Sequence, residues 1–498
     1  MQNFNLSMID DPAVFKINVL PARSDTVICD ESGRPLRLSL HGMWKFHYAE
    51  NPASAIAGFE QPELDVSGWK EIRVPSNIQM EGYDAPAYVN SQYPWDGRED
   101  LALGQAPRIF NPTAQYVTFF EVPDSWKDMG IRIRFHGVES GFALWLNGAF
   151  VGYSEDSFTP SEFDLTPYLT QGVNRLAVLD FKFTNGSWLE DQDMYRLSGI
   201  FRDVEIYPVP KVHMEDIQIT ADLDESFTGG ILDAMIRISG DTQGAKLLWE
   251  LYEKGVAKPD AVKKIAFPMD RMCGGGAEDV SKMLVHTNGA IFRGARIHLE
   301  IPAVSAWSAE VPWLYELRLK LVSKDGTVPE TAAELVGFRH FEMKDGIMCL
   351  NGRRIVFNGV NRHEFSCDTG RTPRREDVEK DIRIMKQHNI NAIRTSHYPN
   401  ASIIYRLADL YGLYMIAETN METHGSWCYP ACREEEKLPN DHQEYLPMML
   451  DRVSSQYERD KNHPAILIWS CGNESFGGSV IYRMSERYRA LDPTRLVH

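Results

Sequence analysis

The chain has 498 residues, of which 43% are hydrophobic and 24% charged, and it carries a formal net charge of −18 at pH 7. That balance excludes nucleic acid and anionic membrane as expected partners, since both are held by basic patches. No apolar run approaches the ~20 residues of a membrane span, and no basic-then-apolar leader is present, so the expected location is cytoplasmic. The length suggests about three domains. Seven cysteines, an odd number spread widely, make no disulfide framework. Cys428 and Cys432 lie near His424 and His442, but their spacing fits no usual zinc knuckle. Eleven Trp, twenty Tyr and twenty-three Phe suit a protein that stacks sugar faces on aromatic rings, and equally suit a β-rich core.

Residues 1–209 read as a β-domain. Short apolar or alternating runs recur between turn signals: 44–48, 116–122, 131–135, 142–146 and 175–179. Asn147-Gly148 between Leu146 and Phe150 is a strong hairpin signal. This spacing predicts a jelly-roll or sandwich. Two loops, 82–90 with its two tyrosines and an aspartate and 189–199 with its three acids, look more specific than plain linkers. Yet on physical grounds alone they read as solvated linkers.

Residues 210–343 restart the strand pattern after Pro208-Val-Pro210, with a less regular stretch at 255–281. A segment of this size and pattern predicts an immunoglobulin-like β-sandwich.

From 344 onward the period changes. The predicted strands are 354–358, 391–394, 413–417 and 466–470, separated by helices at about 372–386, 401–411 and 446–460. Thr372 is the expected N-cap of the first helix with Pro373 at its first position, and Gly412 the expected stop of the second. Strand and helix alternate four times, which predicts the first half of a (β/α)₈ barrel over 344–498, cut after about four strands. A further helix at about 480–491 leads to Leu496-Val497-His498, where a fifth strand is expected to begin.

Each predicted barrel strand ends in polar residues: His363 and Glu364, Arg394 and His397, Glu418, Glu422 and His424, Asn473 and Glu474. Strand C-terminal ends line the mouth of such a barrel, so four of them together predict a site. Glu474 follows an unbroken apolar run, with Asn473 beside it. It is the candidate proton donor for glycoside hydrolysis, and capping of the next helix is its bland alternative. The partner carboxylate is one of Glu364, Glu418 and Glu422, or lies outside the 498 residues. Glu422 and His424, two apart, face one way in extended backbone and suit a hard cation, Mg²⁺ or Mn²⁺, better than zinc.

These residues sit in a set of motifs that resembles glycoside hydrolase family 2 and, within it, the bacterial β-galactosidases. The set includes 74–77, 82–86, 160–165, 189–204, 359–364, 396–399, 421–425 and 469–475, and so runs along nearly the whole chain. Glu422-Thr-His424 and Asn361-Arg-His363 are similar to the galactosidases rather than to the related β-glucuronidases. The resemblance implies a retaining hydrolase that releases terminal β-D-galactose from β-galactosides such as lactose. It implies Glu474 as the acid/base and Glu422, His424 and Glu474 as Mg²⁺ ligands. It also implies Asn90, Asp193, His363, Arg394, His397 and Asn473 as substrate-binding or orienting residues, with Asp193 in addition a Na⁺ ligand. On this view the two acid-rich loops belong to the site. No residue matches the family's nucleophilic glutamate, so the isolated chain is expected to be inactive, and the complete protein to be a homo-oligomer. Ala417, where the family has Asp, and Cys471, where it has an apolar residue, are departures. The alternatives are a non-catalytic fragment or subunit that needs a second polypeptide, and a β-glucuronidase or β-mannosidase of the same family.

Overall fold

A computed structural model describes residues 3–259, 264–287, 290–428 and 436–498. Any pairing of Cys428 with Cys432 lies outside these residues.

The N-terminal region packs a seven-stranded antiparallel sheet against a four-stranded one. Strand Gly42–Ala49 shows why: alternate side chains face opposite ways, and Trp44 and Phe46 fall on the inner face. There they meet Ile72, Tyr116, Phe142, Leu144 and Val178 of the same sheet and Ile133, Phe135, Phe163 and Ile206 of the other. The second face of the large sheet is buried too, its own Trp145, Tyr153 and Phe181 packing in one cluster with Ile9, Phe59 and Val66. The predicted hairpin is present. Leu146 pairs with Ala149, and Asn147 and Gly148 both hold positive φ (53° and 83°), as a two-residue turn of this hand requires.

Two more antiparallel sheets, of four and five strands, enclose a second core around Leu232, Ile236, Leu247, Leu251, Ile297, Leu317 and Leu319. One of their strands comes from the other end of the sequence. Ile28–Cys29 pairs with Thr331 and Ala332, so the N-terminal segment threads both β-regions. A two-residue strand carries no periodicity, so no local pattern announces it.

The last region contains a five-stranded parallel sheet in sequential order: Gly359–Arg362, Ala392–Thr395, Tyr414–Glu418, Ile466–Ser470 and Leu496–Val497. Its helices include Arg375–Gln387, Ser402–Tyr411, Leu446–Asp460 and Ser479–Leu491. The central strands are buried on both faces, which explains the continuous apolar run of Ile466–Trp469. Two expectations need correction. The first parallel strand is Gly359–Arg362 rather than 354–358, because Arg353–Arg354 closes an antiparallel sheet with Cys349 and Leu350. Thr372 does not cap the first helix either; its hydroxyl donates to Phe201 O, and the helix begins at Arg375, where Asp377 accepts from Arg374 N. Gly412 stops the second helix as expected, with φ 78°.

Candidate active site

The C-terminal ends of the parallel strands bring most of the predicted residues together. Glu418 ends the third strand with no exposed surface. Its Oε2 accepts from Arg394 Nε and from Ser470 Oγ, each at 2.6 Å, and its Oε1 meets His397 Nδ1 at 2.6 Å. Arg394 reaches on to Asn473 Oδ1 at 3.0 Å, which ties the second, third and fourth strands into one network. His363 stands over His397, ring centroids 5.5 Å apart. Burial, reinforced by the charges of His397 and Arg371, holds His363 down at about 4, so its imidazole is neutral near pH 7.

Glu422 lies four residues past Glu418 and is as deeply buried. Neither of its oxygens has a hydrogen-bond partner among the described residues. Burial pushes its carboxyl up to about 8, and Glu474 nearby adds to the rise. Asn473 lies near enough to damp that rise, yet makes no hydrogen bond of ordinary geometry to it. Oxygens of Glu422 and Glu474 and a ring nitrogen of His424 lie within 4.8 Å of one another. His424 Nδ1 is 3.0 Å from Glu474 Oε2. A buried carboxylate without a donor is costly unless something arrives to pair it. Two carboxylates and an imidazole converging on one point form a donor set for a hard divalent cation.

Glu474 itself is about half exposed at the mouth. It does not cap the next helix, whose N-cap is Gly478 and whose Ser479 N donates to Asp441 Oδ1. Glu364, by contrast, turns out of the mouth. It is buried against Arg202 at 2.7 Å and accepts from Ala401 N.

The two acid-rich loops are not linkers. Ala87–Val89 pairs with Met194–Arg196 as a short ribbon, which sets Asp193 and exposed Asn90 at its ends. Tyr88 donates to Asp193, and Tyr195 stacks on Phe365, two residues past His363, at 5.5 Å. Asp193 is close enough for its charge to act on His363. Sequence reasoning missed Ser470, Asp191 and Arg196. Ser470 was visible as the first polar residue of an apolar strand. Asp191 and Arg196 carried no signal, because their burial depends on residues about 230 positions away.

Sequence relationships agree with this layout. Residues 37–210 match the sugar binding domain of glycosyl hydrolases family 2, residues 212–339 match glycosyl hydrolases family 2, and residues 341–498 match its TIM barrel domain. A β-galactosidase of Halalkalibacterium halodurans is 46% identical over 99% of this chain and 47% of its own length. A β-galactosidase large subunit of Latilactobacillus sakei is 38% identical over 99% of this chain and 78% of its own length. The chain thus spans about half the length of the first relative and most of the second. Among solved structures, a β-glycosidase from Bacteroides vulgatus superposes with a TM-score of 0.70 at 22% identity, over 93% of this chain and 53% of that one, a likeness of fold alone. With all three regions matched and a relative of this identity covered over more than two thirds of its length, the chain belongs to glycosyl hydrolase family 2.

Proposed function

We propose that this chain carries the acid/base half of a retaining β-galactosidase, built on a jelly-roll domain, an immunoglobulin-like sandwich and the first half of a (β/α)₈ barrel. The observation that carries the reading is the convergence of Glu422, whose oxygens have no hydrogen-bond partner among the described residues, with His424 and Glu474 at the mouth of the parallel sheet. These three would hold Mg²⁺, or Mn²⁺ in its place, while Asp193 serves a sodium ion and the sugar. A bound divalent cation supplies positive charge beside Glu474 and so tunes its proton affinity.

The chain's own residues then have distinct tasks. Glu474 protonates the glycosidic oxygen as the bond breaks, and as a carboxylate later draws the proton from water. Neutral His363, together with His397, which Glu418 fixes, contacts the galactosyl ring. Asn473, fixed by Arg394, faces the sugar, and Asn90 and Asp193 close the site from the first domain. Glu364 and Glu418 are committed to ion pairs, so the reading leaves the nucleophile to residues outside these 498 and the isolated chain without turnover. Relatives named large subunits support an assembly of more than one polypeptide, with a homo-oligomer as the simpler arrangement. Among the described residues no helix is long and apolar enough to cross a membrane, and we place the enzyme in the cytoplasm.

The test is Glu474→Ala in the full-length protein. Poor leaving groups need protonation and activated aryl galactosides do not, so the former should slow by an additional ~10²–10⁴-fold. Azide should rescue the activated substrates and yield β-galactosyl azide. Equal slowing of both substrate kinds, without rescue, removes Glu474 from the role.

A further inference from the structure

The segment that carries Glu422 and His424 is held largely from outside its own sheet. Glu422 N donates to Leu189 O and Asp191 N donates to Glu422 O, both at 2.9 Å, so a loop of the first domain runs as a partner strand beside this residue. Asn473 N, donating to Met421 O at 2.9 Å, anchors the near end. The far end is anchored by a side chain: Gly425 N, next to His424, donates to Asp191 Oδ2 at 2.7 Å.

Asp191 has no exposed surface. Its other oxygen accepts from Arg196 Nη2 at 2.5 Å, and Arg196 Nη1 in turn donates to Glu190 O at 2.9 Å, so the carboxylate has a fixed direction. Residue 425 fits around it. A Cβ there would stand 2.6 Å from Asp191 Oδ2 and 2.9 Å from the Tyr93 ring, so the glycine admits the carboxylate. A buried carboxylate aimed at one amide fixes the backbone on the C-terminal side of His424. The Leu189–Asp191 rungs fix it on the N-terminal side.

Resting on the cation reading of Glu422, His424 and Glu474, we infer that Asp191 is a positioning residue for that site, so that the first domain sets the cation affinity of the barrel. It touches neither sugar nor cation. It acts through Gly425 on the direction in which His424 points, and outer-shell partners of this kind govern affinity as ligands do.

The test follows Mn²⁺ binding to the full-length protein by loss of the free-ion EPR signal, with thermal unfolding in EDTA alongside. Asp191→Ala should bind Mn²⁺ ~10–100-fold more weakly than the parent. Asp191→Asn can still accept from Gly425 N through its amide oxygen but turns its NH2 toward Arg196 Nη2, so its affinity should fall between those of Asp191→Ala and the parent. A parent that binds no Mn²⁺ overturns the cation reading and this inference with it. A parent that binds and an Asp191→Ala variant that binds equally well overturn the inference alone, even if that variant melts earlier, because a purely structural staple would lower stability and spare affinity. Should Asp191→Ala fail to fold, Gly425→Ala decides. It displaces the carboxylate while keeping the Arg196 pair, and parent-like Mn²⁺ affinity there would overturn the inference.

Discussion

Glu418 and Glu422 are the same residue type, four positions apart, and both are wholly buried at the mouth of one sheet. Glu418 spends its oxygens on Arg394, His397 and Ser470. Glu422 has no such partner among the described residues. The first is part of the scaffold: it fixes the guanidinium of Arg394 and the imidazole of His397. The second, on the proposed reading, is a place kept for a cation. Burial alone therefore does not separate a structural carboxylate from a functional one, and the list of partners does.

Substitution should split the pair. Glu418→Ala leaves Arg394 without its counter-charge in a mostly buried site, and loss of one member of such a pair costs about 3–5 kcal/mol. Urea unfolding in EDTA should show a loss of that size; a loss indistinguishable from zero would break the contrast. Glu422→Gln removes no hydrogen bond of ordinary geometry. In the same EDTA experiment it should lie within about 1 kcal/mol of the parent or above it.

The same rule can be read from pH elsewhere in the chain. Burial alone would raise Glu162, yet Arg134 and Arg23 pull it down to about 2 from an ordinary 4.5. Its stabilising contribution is complete above pH 4.5 and is lost as pH falls toward 2. Glu162→Gln should accordingly flatten the acid limb of a stability–pH curve. Glu330, which accepts only from Met214 N among the described residues, is pushed by burial up to about 8. The folded chain holds that proton longer than the unfolded one, so this residue erodes stability as pH rises from 4.5 to 8. Glu330→Gln should remove that decline. Curves in which either variant retained the parent's slope in its own window would contradict the rule.

Much of the layout was legible in the sequence because local signals and tertiary packing agree. The helix Leu446–Asp460 and the strand Ile466–Ser470 stand where their patterns put them, and Asn147-Gly148 makes its turn. Where the reading failed, packing overrode pattern. Ile355, Val356 and Phe357 look like a strand interior, but Val356 is 65% exposed and the chain joins the parallel sheet only from Gly359. Thr372-Pro373 looks like a helix start, but the hydroxyl is taken by Phe201 O of the first domain. In the site, the strand-end residues were visible from their repeated polar placement. Asp191 was not, since an acidic loop reads as solvated until Gly425 and Arg196 enclose it.

The most direct measurement is Mn²⁺ titration of full-length parent and Glu422→Gln protein, each shown by its unfolding curve in EDTA to be folded. The account predicts a single tight ion in the parent and a loss of at least about 10-fold in affinity in the variant, with folded stability unchanged. Glu422→Gln binding Mn²⁺ as the parent does would mean that this buried, partnerless carboxylate is not kept for a cation, and the contrast with Glu418 would fall.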